Sequence, residues 1–336
     1  MGNCQTLDNE SLDLKFDEKG FFKAYKLGPV IGFGACSTVH EATRLREPGK
    51  GKKFAVKVIS KKTLAKDRKP HLFREVNIMR SLKHPNILEI YQFFQDEPKN
   101  YYLVIELIHG KELLNRVIMK NSYTEKEARD VSRVLLNTIC FLHSKGIVHR
   151  DLKLENLLLT SLNDNANIKV ADFGFSQTTD SRTLTTQCGT PGYMAPEIIR
   201  GKPYGKEVDM WSAGIIIYIL IAGYPPFQDK SLVRLYQKIK AGKVRFPKES
   251  WEFVSSAAKD LIVQLLTTDP SKRLTAAEAV RHPWLLSKDT DLLQVHLKQT
   301  LEHMQLFNAR RKLRAAVKSV VAVNTLANSH NIPHVN

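Results

Sequence analysis

His149-Arg150-Asp151-Leu152-Lys153-Leu154-Glu155-Asn156, followed by Asp172-Phe173-Gly174, is the stretch that decides how the chain is read. It sets a carboxylate, an ammonium, an amide and a second carboxylate in close order. An acid such as Asp151 can orient a hydroxyl, and the oxygens of Asn156 and Asp172 suit a hard cation such as Mg²⁺, which also keeps waters and phosphate oxygens. Taken singly, each carboxylate is equally well a helix cap or a turn residue. The reading therefore depends on what surrounds them.

Upstream, Phe54-Ala55-Val56-Lys57-Val58-Ile59 has the composition of a buried strand. Alternation along a strand puts Ala55 and Lys57 on one face, a small apolar residue beside an amine. That pair suits a nucleotide, with Ala55 against the base and Lys57 reaching the phosphates. Just before it stands Gly32-Phe33-Gly34-Ala35-Cys36-Ser37-Thr38-Val39. Glycines let backbone N–H groups approach phosphate closely. A hairpin turn would explain two glycines as well, but their place ahead of the Lys57 strand makes them a phosphate-binding signal. No GxxxxGK[ST] sequence occurs, which argues against a P-loop ATPase. Between Pro70 and Leu82 the residues Leu72, Val76 and Met79 fall at helical spacing and form one apolar stripe, with Glu75 at its edge. Tyr101 to Leu107 reads as a further strand.

These motifs together, in this order, resemble those of the eukaryotic protein kinases, over Tyr25 to about Leu286. The resemblance implies an α+β fold of two lobes: a β-rich N-lobe with one main helix and a mostly helical C-lobe, with ATP bound between them as cofactor together with Mg²⁺. It implies Ile31, Gly32 and Gly34 in the glycine-rich loop, although Ser37 stands where a third glycine is usual. Val39, Ala55 and Leu158 would sandwich adenine. Ile105 would lie deepest in that pocket, and Glu106 and Ile108 would offer backbone groups. Lys57 would contact phosphate and pair with Glu75. Asp151 would orient the acceptor hydroxyl, Lys153 would neutralise the transferred group, and Asn156 and Asp172 would hold the metal. A lysine at 153 is typical of serine/threonine rather than tyrosine kinases. Gly189 to Glu197 looks like the end of an activation segment, Glu197 pairing with Arg273, and Asp209 bracing the catalytic loop. Thr186 stands where many such kinases are phosphorylated by an upstream activating kinase, with Arg150 as the partner of that phosphate; Thr183, Thr185 and Thr190 lie close by. Glu112 corresponds to the acid that contacts ribose and reads a basic residue upstream of the phospho-acceptor. Ile219 stands where some relatives carry a second acid, so one basic determinant is expected in protein substrates.

The C-terminal sequence narrows the resemblance. Phe307-Asn308-Ala309-Arg310-Arg311-Lys312-Leu313 is similar to the regulatory segment of the calcium/calmodulin-dependent protein kinases. Leu313, Val317, Val320 and Leu326 recur along one helical side with basic residues interleaved, the pattern of a basic amphipathic helix laid into a hydrophobic groove. Residues 287–326 are thus expected to be autoinhibitory and calmodulin-binding, with about Asp291 to Phe307 blocking the substrate site and 327–336 a tail. A basic helix of this kind also fits an anionic lipid surface. No EF-hand loop is present, so calcium would act through calmodulin as a partner. Thr300 falls where some relatives carry an autonomy phosphosite, but Leu297 replaces the arginine expected three residues earlier. His330 and His334 are spaced for metal binding, yet a solvated tail explains them as well.

At the other end, Met1-Gly2-Asn3-Cys4-Gln5-Thr6 matches the N-myristoylation pattern, and Cys4 suits palmitoylation. Residues 1–24 are read as an acylated segment that tethers the chain to membrane. One myristoyl chain binds only marginally, so a second signal is needed. The acidic residues Asp8, Glu10, Asp13, Asp17 and Glu18 cannot supply a polybasic one.

Bulk composition is compatible with all of this. The chain has 336 residues, 43% hydrophobic and 25% charged, and a net charge of +17. That length suits roughly two domains of about 150 residues. The charge is concentrated partly in the tail, where no acidic residue follows His303. It comes without a zinc-finger or RNA-binding motif, so no nucleic-acid partner is expected. Cys4, Cys36, Cys140 and Cys188 lie far apart and read as reduced thiols of a cytoplasmic protein. The apolar run around Ile215 to Ala222 is too short to span a bilayer, and no secretory leader is recognisable. Two rival readings remain at this stage: a catalytically dead, calmodulin-binding membrane scaffold, and an active kinase whose tail reads lipid.

Overall fold

The computed structural model describes residues 20–34, 37–64, 69–95, 98–110, 112–161, 167–179, 184–292 and 295–329, with side chains of the last helix described to Arg314. Gly2, Cys4, Thr183, His330 and His334 lie outside the described residues, as do the side chains of Val317, Val320 and Leu326. The chain divides into two compact units, one holding the described residues up to Val76 together with Glu89–Leu107, the other Asn77–Leu88 and the residues from Ile108 onward.

The first unit is a five-stranded antiparallel sheet with order β1-β2-β3-β5-β4, made of β1 (Tyr25–Gly34), β2 (Ser37–Arg44), β3 (Lys53–Ser60), β4 (Ile90–Phe94) and β5 (Asn100–Ile105). A short helix α1 (Phe21–Ala24) precedes β1, and α2 (Lys69–Ser81) follows β3. Its stripe is as expected from spacing, with Leu72, Val76 and Met79 all buried. One core cluster is aromatic: Phe21 stacks on Tyr102 at 4.2 Å between ring centroids, and Tyr25, Phe54 and Phe94 close around them. Phe21 is completely buried. The first unit thus begins four residues before Tyr25, inside the segment assigned to the acylated N-terminus.

The second unit is mainly helical. Its elements in order are α3 (Leu113–Val117), α4 (Glu125–Ser144), β6 (Ile147–Val148), β7 (Leu157–Leu159), β8 (Ile168–Val170), β9 (Gln177–Thr178), α5 (Pro196–Ile199), α6 (Glu207–Ala222), α7 (Leu232–Ala241), α8 (Lys248–Trp251), α9 (Ser256–Leu265), α10 (Ala276–Ala279), α11 (Pro283–Leu286) and α12 (Lys298–Ser329). Helix α4 starts with a capping box, Thr124 accepting from Glu127 N–H while the Glu127 carboxylate accepts from Thr124 N–H, which satisfies two otherwise orphaned donors. Helix α6 is hydrophobic all round and is buried along Val208 to Ala222, as its apolar run implies. It ends at Gly223, whose φ of 82° is in the left-handed region. Helix α12 packs on α6 and α3. Among the described residues no helix is long and apolar enough to cross a membrane.

Candidate active site

In the first unit, the β3 register places Lys57 beside Val39 of β2 and Leu103 of β5, and sets Ala55 opposite Ile105. Alternation keeps Ala55 and Lys57 on one face, as the sequence suggested. Lys57 Nζ meets Glu75 Oε1 at 3.2 Å, and the Glu75 side chain is only 8% exposed. A carboxylate turned inward from the edge of an apolar helical stripe is costly to bury unless paired, so this contact fixes where Lys57 points. Gly32 pairs with Val39 and Gly34 with Ser37 at the β1–β2 end, and Ile31 is half-exposed there. Glu106 N–H donates to Glu89 O at 3.0 Å.

In the second unit, the loop between β6 and β7 is held from below by Asp209 of α6. Its carboxylate accepts from His149 N–H and Arg150 N–H, each at 2.9 Å, and lies 3.0 Å from His143 Nε2. Asp209 is fully buried. Burial pushes its carboxyl pKa up, but the His143 ring and the His149 donor outweigh this and hold it below the usual carboxylate range. Arg150 and Asp172 have φ of 68° and 62°. Neither is glycine, and each such conformation costs on the order of 1–3 kcal/mol unless its surroundings enforce it. For Arg150 the enforcement is visible in the paired N–H donors on Asp209.

On this base stand the side chains expected to take part in the chemistry. Asp151 is 3% exposed; Lys153 Nζ donates to its Oδ2 and Thr190 Oγ1 to its Oδ1 at 2.8 Å. Asn156 Nδ2 donates to Asp151 O at 2.9 Å, which commits the amide nitrogen and makes Oδ1 the atom for a cation. Asp172 is exposed, while the next residue, Phe173, is completely buried against His149. The motif thus splits an anchor from a ligand within two residues. Leu158 of β7 is partly exposed and bridges to Glu112, and Ile108 is where the chain re-enters this unit after β5. The oxygens of Asn156 and Asp172 are hard donors too few to fill an octahedral shell, the donor set of a Mg²⁺ that keeps waters and phosphate oxygens.

The sequence pattern of the protein kinase domain matches residues 25–285. The chain belongs to the protein kinase family. It is also 42% identical, over 299 residues, to a rabbit (Oryctolagus cuniculus) protein, calcium/calmodulin-dependent protein kinase type II subunit delta. The match covers 88% of this chain and 55% of the relative, so the chain spans about half the length of the curated relative it matches.

Other kinase features assemble in the second unit. Glu197 and Arg273 form a buried bidentate pair at 2.7 and 3.0 Å. Thr186 is exposed, and its carbonyl accepts from Tyr204 OH at 2.6 Å. Arg150 donates to that same Tyr204 oxygen and to Phe175 O. Tyr204 therefore links Arg150 to Thr186, a contact that no sequence motif announced; burial, followed by Cys188, pushes its hydroxyl up to about 12.

The kinase's C-terminal helix lies on this unit. Leu297, Thr300, Leu301, Met304 and Asn308 are buried at helical spacing. Thr300 Oγ1 donates to Ile221 O at 2.6 Å. Gly223 lies directly beneath: a Cβ there would collide with the Thr300 carbonyl and stand 2.7 Å from His303 Cβ. Further along, Asn308 Nδ2 donates to Asn115 Oδ1 at 3.1 Å, and Arg311 pairs with Glu112 and, at 3.5 Å, with Glu155. Burial works against the Arg311 charge, but Glu112 and Glu155 outweigh it. Arg310, Lys312 and Leu313 point outward, Leu313 being 66% exposed. The contact with Glu112 comes from Arg311, one helical turn beyond the Asp291–Phe307 stretch expected to block the site. Glu155 was read only as part of a motif, and its nearness to Glu112 was not visible in the linear sequence.

Proposed function

We propose that this chain is a calcium/calmodulin-regulated serine/threonine protein kinase, held off by its own C-terminal helix and transferring the γ-phosphoryl group of ATP to protein substrates with a basic residue upstream. One observation carries the regulatory part. Arg311 sits on Glu112 and Glu155, as a substrate arginine would, and extends from a helix whose next turns are basic and amphipathic. An arginine of the chain itself is then the stand-in for the substrate's basic residue.

Catalysis asks for positioning and charge stabilisation rather than covalent chemistry. Lys57, fixed by Glu75, binds and orients phosphate. Asp151 accepts the hydrogen bond of the acceptor hydroxyl and takes up its proton as the new P–O bond forms and the bond from the γ-phosphorus to the bridging oxygen breaks, that oxygen leaving with ADP. Lys153 stands beside Asp151 and screens the charge of the transferred group. Asn156 and Asp172 would hold Mg²⁺, which would supply charge neutralisation for the phosphates. Thr190 Oγ1 donates to Asp151 Oδ1 and helps to orient the carboxylate, whose remaining lone pairs can still accept the acceptor hydroxyl.

Phosphate on Thr186, added by an upstream kinase, would compete with Tyr204 for the Arg150 guanidinium and order the segment. Gly2 and Cys4 are proposed as acylation sites that tether the kinase to membrane. Gly2→Ala that leaves membrane fractionation unchanged would count against this. The central experiment is phosphotransfer to a peptide with arginine three residues before serine, with and without calcium and calmodulin. Activity that appears only with both, and is absent in Asp172→Asn, is the expected result. No turnover under any condition would leave a binding scaffold, and turnover indifferent to calmodulin would remove the regulatory reading.

A further inference from the structure

The N-terminal pattern poses a physical problem. A single acyl chain holds a protein on a bilayer only marginally, and the residues around it are acidic. The first unit offers a solution that is scattered in sequence. Where β2 turns back to β3, Arg46, Lys50 and Lys52 are all exposed on a tight connection, closed by Gly51 N–H to Arg44 O at 2.9 Å and Lys52 N–H to Gly49 O at 3.0 Å. The sheet register adds two more cations. Lys26 of β1 stands opposite Thr43 of β2, and Thr43 opposite Lys53 of β3, so both lysines occupy one row at the same end of the sheet. Lys23, on α1, is exposed as well.

This end of the sheet is also where the N-terminal segment joins the folded unit. Leu45 N–H donates to Ala24 O at 2.8 Å, tying the connection to α1. Phe22 and Leu45 are exposed there, at 56% and 42%. Glu47 is the one carboxylate within the connection, its Oε2 accepting from Gly49 N–H at 3.1 Å, and Lys53 pairs with Glu41 at 2.8 Å. Lys52 Nζ lies 5.6 Å from the Phe54 ring centroid and 5.7 Å from that of Tyr91, which holds it at the rim.

We propose that this end of the sheet, with Arg46, Lys50 and Lys52 on the connection, Lys23 on α1, Lys26 and Lys53 in the adjoining row on the Ala55 side, and Phe22 and Leu45 among them, docks on an anionic lipid bilayer. Cations near such a surface each strengthen binding about fivefold. Apolar side chains between them insert at the headgroup boundary. The proposal deepens the membrane reading of the N-terminus, since it supplies the second signal that a lone acyl chain requires, but it does not depend on acylation.

The test uses the full-length Gly2→Ala protein, which cannot carry myristate, sedimented with phosphatidylcholine vesicles containing either no or about 30% phosphatidylserine. Binding is expected only with phosphatidylserine, and is expected to vanish as salt rises toward ~0.5 M. The Arg46→Gln/Lys50→Gln/Lys52→Gln variant is expected to bind roughly a hundredfold more weakly with unchanged melting and peptide phosphorylation. Arg310→Gln/Lys312→Gln/Arg314→Gln, which removes basic residues of the tail, is expected to bind as the parent does. Equal binding by the first variant, loss confined to the second, binding without phosphatidylserine, or displacement of the vesicles by an equal phosphate concentration of RNA each overturns the proposal. Unchanged cell fractionation of Gly2→Ala bears on the acyl chain alone and leaves this vesicle result standing.

Discussion

The catalytic loop and helix α12 belong to the same unit, yet they are held in opposite ways. The loop is fixed through its backbone: the N–H groups of His149 and Arg150 both end on Asp209, a carboxylate with no solvent exposure. The helix is fixed through side chains, Thr300 on Ile221 O, Asn308 on Asn115, and Arg311 on Glu112, whose side chain is 34% exposed. Backbone donors on a buried charge cannot let go without leaving that charge uncompensated, which costs several kcal/mol. Single side-chain hydrogen bonds and ion pairs contribute about 1–3 kcal/mol each and can be exchanged for contacts with a partner. The catalytic loop is thus held by bonds that are costly to break, helix α12 by bonds that can be exchanged one at a time.

That contrast can be broken at its strongest point first. Asp151→Asn and Asp172→Asn should each lower calmodulin-stimulated kcat about a thousandfold, the scale of losing a positioned acid–base or metal-binding group, with no loss in denaturant midpoint. Asp209→Asn should do the reverse in kind: about 3 kcal/mol of stability lost, read from urea unfolding, with activity falling as the loop loosens. The Asp209 carboxyl titrates lower folded than unfolded, so its stabilisation is complete above about pH 4 and drains away as the pH falls further. The acid limb of the stability curve should therefore flatten in the asparagine variant. Arg311→Ala should raise calmodulin-free activity tenfold to roughly a hundredfold, the worth of a charged hydrogen bond, while stimulated activity stays put. Thr300→Val should raise it only about fivefold, the worth of one neutral hydrogen bond. If Thr300→Val exceeded Arg311→Ala, the substrate-like contact would not be the main latch.

The sequence made the catalytic half legible because its chemistry is local. Asp151, Lys153, Asn156 and Asp172 lie within one short stretch, and Lys57 declares itself by alternation along a single strand. The buried helices α2 and α6 were equally plain, since Leu72, Val76 and Met79 repeat at helical spacing and Ile215 to Ala222 is uniformly apolar. What stayed hidden depended on tertiary neighbours. Tyr204 has no motif, yet its hydroxyl joins Arg150 to Thr186. Thr190 was set aside as one threonine among several, yet it donates to Asp151. Glu155 gains its meaning only when α12 brings Arg311 to it, and Phe21 only when Tyr102 stacks on it. The six basic residues of the sheet end were invisible for the same reason, because β-strand register rather than sequence proximity gathers them.

Gly223 ends helix α6 in a conformation that favours glycine, and the backbone of α12 rests where its side chain would be. A single methyl group at this position would act as a wedge under α12. Gly223→Ala touches neither the phosphate-handling residues nor the outward basic face of α12. Under the proposed regulation, steric bulk at this one position would by itself shift how much signal is required before the enzyme turns on.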